Sequence, residues 1–239
     1  GGVDPSGVLT PGGFHPLWGD MKDDSAGECG VPTSARFVMP QFTNHGNGSK
    51  QISTSANNGV YWYSYNIAST HIIVISSEHD LSPSSPQHQW LLSDLSNVQR
   101  NLTPWLIVES HRPLYESQIF NHHDAINTTL VTEGMRHEIE PLLKDYSVDL
   151  FLNGHYHAYL RTCDGLYNHT CQNGGPTHIT VGTAGAVLLH ANLYRQAWTK
   201  RYLVEHGYGK VTVMNRTVLH WEFISDEHGE VMDELWLRK

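Results

Sequence analysis

Between Val60 and Leu152, short apolar runs alternate with segments of helical periodicity, and this alternation constrains the fold of the 239-residue chain more than any other feature. Val60 to Ile67 reads as a strand, and Ile72 to Ile75 is a short β-branched run suited to a buried one. Ser85-Pro86 predicts a helix start, followed by an amphipathic course through Gln89, Trp90, Leu91 and Leu95. Trp105 to Val108 predicts another buried strand. Glu133 to Tyr146 predicts a helix with Met135, Ile139, Leu142 and Leu143 on one face, and Val148 to Leu152 a further strand. Such a succession is the signature of an α/β layered fold.

The rhythm differs on either side of this stretch. Residues 1–59 are rich in Gly, Pro, Asn and Ser, with scattered apolar residues (Val8, Phe14, Trp18, Phe37, Val38), and read as a loop-rich lead-in. Residues 161–239 are β-rich: Ile179 to Val181, Val211 to Met214, Val218 to Ile224 and Val231 to Leu237 are strand-like, with Asp226 to Gly229 as a turn. The chain therefore reads as a single domain, with 60–160 as its α/β part.

Charge and composition exclude several function classes. The net charge is −9 and no basic run occurs, which argues against a surface that tracks nucleic-acid phosphates. No apolar run is long enough to span a membrane. Histidine is unusually frequent, at 17 residues. Full protonation would carry the charge from −9 to +8, favouring anionic substrates in acid wherever burial or metal does not hold the rings neutral.

Five sequons, at Asn47, Asn101, Asn127, Asn168 and Asn215, favour a glycosylated, secreted protein. Cys163 and Cys171 flank a Gly/Asn-rich stretch at a spacing that suits a disulfide-closed loop in an oxidising compartment. Cys29 is left over. That odd cysteine, and a first residue Gly1 without a signal peptide, lead to the expectation that further sequence lies upstream.

The chemistry falls at strand ends, where α/β folds place their ligands. Leu106 to Val108 runs into Glu109-Ser-His111-Arg-Pro113, and Asp149 to Leu152 runs into Asn153-Gly-His155-Tyr-His157. On an extended segment, His155 and His157 would point to one side about 7 Å apart at Cα, a spacing at which each serves one ion of a metal pair. Asn121-His122-His123 is expected on a pocket-lining loop, where a histidine near its ordinary pKa binds an anion or protonates a departing alkoxide.

Several segments in this order resemble the purple acid phosphatases, secreted dinuclear metallophosphoesterases. They are Gly27-Glu-Cys-Gly-Val-Pro32, Ser110-His-Arg-Pro-Leu-Tyr115, Asn121-His-His123, Gly154-His-Tyr-His-Ala-Tyr159, Gly207-Tyr-Gly209 and Leu219-His-Trp-Glu-Phe223. The resemblance covers nearly the whole chain. It implies that His111 and His155 bind a divalent ion (Zn, Mn or Fe(II)), that His157 binds Fe(III), and that His122 and His123 contact phosphate and assist the leaving group. The implied activity is that of an acid phosphatase hydrolysing small-molecule phosphate monoesters by a metal-activated hydroxide. The implied location is extracellular or vacuolar, and a homodimer is compatible with it.

The chain departs from the family in lacking the GDxG, GDxxY and GNHE motifs, which supply the bridging aspartate, a second aspartate, a tyrosine and an asparagine; Gly19-Asp20-Met-Lys is no equivalent. Leu160 stands where the family usually carries Glu. The expected structure is therefore a partial metallophosphoesterase sandwich, with mixed sheets flanked by helices but without its N-terminal strands, holding at best half a metal site. Three readings follow: part of an active acid phosphatase, a non-catalytic glycoprotein, or a phosphodiesterase or nucleotide pyrophosphatase of the same metal class.

Overall fold

The computed structural model describes residues 2–3, 9–10, 36–39, 42–44, 50–52, 60–119, 122–188, 192–193 and 196–239. Asn47, the segment from Gly27 to Pro32 with Cys29, and Asn121 lie outside the described residues. Within the lead-in read as loop, two short antiparallel pairings form, Gly2–Val3 with Leu9–Thr10 and Phe42–Asn44 with Lys50–Ile52.

The main sheet is built from β1 (Tyr63–Ile67), β2 (Thr70–Val74), β3 (Trp105–Glu109), β4 (Leu150–Asn153), β5 (Tyr159–Thr162), β6 (Thr177–Val181) and β7 (Thr199–Leu203), in the spatial order β7-β5-β6-β4-β3-β2-β1. Its centre is parallel, β2 to β3 to β4 to β6, and its flanking pairs are antiparallel. Helix α1 (Pro86–Asn97) links β2 to β3, and helix α2 (His122–Asp145) links β3 to β4. Ser85 caps α1, its side chain accepting from the His88 N–H, and Pro86 occupies the first turn, where no amide partner is needed.

Alternation along β3 shows why both sheet faces are apolar. Leu106 and Val108 pack towards the helices, with Leu91 and Leu95 of α1, Met135, Ile139 and Leu143 of α2, and Phe151 of β4. Trp105 and Ile107 point the other way, meeting Leu219, Trp221, Phe223 and Leu235 of a second, three-stranded antiparallel sheet. That sheet comprises β8 (Gly207–Val213), β9 (Val218–Ser225) and β10 (Val231–Arg238). The result is the layered α/β sandwich of mixed sheets expected from the sequence.

Two strands of the main sheet escaped the sequence reading, β5 and β7, because each carries charge. Arg161 of β5 is tied to Asp233 of β10 through Nε at 2.6 Å and Nη2 at 3.0 Å, and the Tyr159 hydroxyl donates to the same carboxylate at 2.6 Å. A paired charge is tolerated between two sheets, whereas an unpaired one is not. Helix α2 starts well before Glu133 and takes in His122 and His123, which therefore open a helix instead of lying on a loop. Cys163 and Cys171 form the expected disulfide. Among the described residues, no helix is long and apolar enough to cross a membrane.

Candidate metal centre

The histidines gather where β3, β4 and β6 end. Beyond β3 and β4 the two chains remain zipped, Ser110 N–H donating to Leu152 O at 3.0 Å and Gly154 N–H to His111 O at 3.0 Å. This register lays His111 against the Gly154-His155 segment. Nε2 of His111 and Nδ1 of His155 stand 3.2 Å apart, with the rings edge to face.

The segment after β4 is not extended, which corrects the spacing argument for His155 and His157. His155 has φ of +66°, and Tyr156 and Ala158 donate backbone bonds two residues back, to Gly154 and Tyr156. The chain therefore turns at each step, and the two rings take different hydrogen-bond partners. His155 meets His111, while His157 Nδ1 donates to Val187 O at 2.9 Å. The turn fits because Gly182 of the adjoining chain leaves room: a Cβ there would lie 1.6 Å from the Tyr156 carbonyl oxygen.

A charged pair supports the site from behind. The buried Arg112 donates from Nε to Glu78 at 2.8 Å and from Nη1 to His155 Nε2 at 3.0 Å, and its backbone N–H donates to Ser77 Oγ. Burial pushes the His155 imidazole down to about 3, and the Arg112 charge and the neighbouring His111 and His157 push in the same direction. Burial, then His157, also lowers His111. Burial lowers Arg112 to about 10 and raises Glu78, against the Ser77 hydroxyl bond. Sequence reasoning missed Glu78 and Arg112, whose pairing spans more than 30 residues and leaves no periodic trace.

The donor set fits one half of a metal centre. Two nitrogens sharing a cation at about 2.0–2.1 Å with a near-tetrahedral angle stand a little over 3 Å apart, and the His111–His155 contact has that separation. No group of three or more His, Cys, Asp or Glu converges among the described residues, so oxygen ligands for a ferric ion are absent from this set. His157 lies on the same segment with its Nε2 uninvolved in the Val187 bond. His122 and His123 enter at the first turn of α2. Leu160 is buried in the helix-side core, so the departure from Glu at that position fills an apolar site.

Comparison with known proteins agrees with this architecture. The sequence pattern of the calcineurin-like phosphoesterases matches residues 23–159, and that of the iron/zinc purple acid phosphatase-like protein C matches residues 175–234. The chain is 38% identical over 165 residues to "Probable inactive purple acid phosphatase 9" of Arabidopsis thaliana, covering 68% of this chain and 24% of that protein. It is 33% identical over 210 residues to "Purple acid phosphatase 18" of the same plant, covering 85% and 46%. The chain thus spans about half the length, or less, of these relatives. The solved purple acid phosphatase PPD1 of yellow lupin seeds superposes with a TM-score of 0.79 at 24% identity, covering 97% of this chain and 39% of that one, and shares the fold. Together the two matched patterns and the shared layered sandwich place this chain in the purple acid phosphatase family of calcineurin-like phosphoesterases.

Proposed function

We propose that this chain supplies the imidazole side of a dinuclear centre that hydrolyses small-molecule phosphate monoesters in acid. The observation that carries the reading is the 3.2 Å approach of His111 Nε2 to His155 Nδ1 at the ends of two adjacent parallel strands. His111 and His155 would hold a divalent ion, Zn, Mn or Fe(II), and His157 the ferric ion. When bound, such ions neutralise phosphoryl oxygens and make water a stronger nucleophile.

The chain's own groups do the rest. His122 and His123, at the positive end of the α2 dipole, receive the phosphate anion, and one of them delivers a proton to the departing alkoxide. Arg112 accepts no hydrogen bond, so it shares His155 Nε2 only while that nitrogen keeps its lone pair. With Nδ1 turned to an ion, Nε2 carries the proton and the Arg112 bond to it is given up, while Arg112 stays paired with Glu78.

A secreted or vacuolar setting is part of the same reading. Asn101, Asn168 and Asn215 are exposed, and the Cys163–Cys171 disulfide requires an oxidising compartment. Asn127 falls within α2, where the helix disfavours modification of the folded chain.

The test uses the product of the complete transcript, assayed at pH 5 on p-nitrophenyl phosphate and on bis(p-nitrophenyl) phosphate. Faster hydrolysis of the monoester, abolished by His111→Ala, is expected. Preference for the diester would transfer the site to the phosphodiesterases, and no hydrolysis of either would favour a non-catalytic protein, as the name of one relative suggests for that relative.

A further inference from the structure

We propose that His206 is a positioning residue for His157, acting through the loop that follows β6; this rests on reading His157 as a metal ligand. The loop is tied down at its root. Gly182 N–H donates to Ala158 O at 3.2 Å. The fully buried Thr183 donates its hydroxyl to Gly207 O at 2.7 Å and accepts from Gly207 N–H at 3.3 Å. The chain then turns at Gly185, whose φ of +103° suits glycine.

Two successive carbonyls at the tip are taken by histidine rings from different parts of the chain. Ala186 O accepts from His206 Nε2 at 2.9 Å, and Val187 O accepts from His157 Nδ1 at 2.9 Å. Val187 is 84% exposed, so apolar packing does not hold the tip. Its hydrogen bonds therefore set its position. The backbone of His206 is itself fixed, because its carbonyl accepts from Asp226 N–H at 3.0 Å and the next residue, Gly207, is in register with Ser225 of β9.

A carbonyl on Nδ1 decides which nitrogen of His157 keeps its lone pair. With Nδ1–H committed to Val187 O, Nε2 is the nitrogen available to a cation, and the ring direction is set by that carbonyl. His206 holds the neighbouring peptide. Without it, the Val187 carbonyl can rotate away and His157 loses both tautomer and aim.

The test compares His206→Ala with His206→Gln, whose side-chain amide keeps an N–H donor, in the product of the complete transcript carrying 15N-labelled histidines. The wild type and His206→Gln are expected to show the Nδ1–H tautomer of His157, and His206→Ala a mixture. Ferric-ion affinity is expected to fall about 10- to 100-fold in His206→Ala and to stay within about threefold in His206→Gln, with Tm unchanged in both. An unaltered tautomer and affinity in His206→Ala, or an equal loss in both variants, overturns the proposal. A wild type that keeps the tautomer but binds no metal contradicts the metal reading instead, while the tautomer in His206→Ala still decides the clamp.

Discussion

His155 and His178 are both pushed down to about 3 by burial, yet they sit in opposite kinds of surroundings. His155 lies at the open end of the sheet, with His111 on one ring nitrogen and Arg112 on the other. His178, on β6, is sealed in the helix-side core against the rings of Tyr115 at 4.8 Å and Phe151 at 5.3 Å, and neither of its nitrogens has a hydrogen-bond partner among the described residues. A perturbed pKa therefore does not by itself mark a site. What separates the two is convergence: His111 and Arg112 engage both ring nitrogens of His155, and no polar group among the described residues bonds the ring of His178.

The largest effect expected from this contrast is on activity. His155→Ala should lower monoester hydrolysis at least a hundredfold or so, whereas His178→Phe, which keeps the volume of the ring, should leave it within about threefold. Steady-state rates at pH 5 check both. A catalytic loss in the core variant and none in the other would invert the comparison.

The second effect is on acid stability. The unfolded chain protonates His178 near pH 6.5 while the folded chain resists until about 3, so stability is lost as pH falls through that window. At pH 5 this amounts to about 2 kcal/mol. His178→Phe should remove that loss, so that Tm falls less between pH 7 and pH 5 than in the wild type. An identical fall in both proteins would show that His178 finds a partner or water in solution.

The smallest effect tests the cage around His178. The Tyr115 hydroxyl donates to the buried Glu140 and accepts from the His169 N–H. Tyr115→Phe leaves both without that partner and should cost about 1–2 kcal/mol at neutral pH, measured by urea unfolding. A change within 0.5 kcal/mol or so would mean that Asn168 N–H, the other donor to Glu140, suffices.

The same contrast explains what was legible in the sequence. β2, β3 and β4 announced themselves because strands buried on both faces read as continuous apolar runs, and His111 and His155 stood at their ends. β5 was hidden by Arg161, whose Asp233 partner lies 72 residues away. The first turns of α2, rich in His, Asn and Thr, lack the apolar stripe that exposed its later half. The turn at His155 depends on a left-handed backbone at a non-glycine residue and on space left by Gly182, neither of which spacing reveals. His178 carried no signal, since Thr-His-Ile-Thr reads the same with the ring buried or solvated. The pairing of Arg112 with Glu78, and the reach of His206 to Ala186, exist only once the strands are assembled.

The central claim is that the strand-end imidazoles are metal ligands. Its most direct test is elemental analysis of the product of the complete transcript, purified without added metal, for the wild type and His155→Ala. The account predicts two ions per chain in the wild type, one of them iron, and the loss of at least the divalent ion in the variant. Equal metal in both, or none in the wild type, would contradict it.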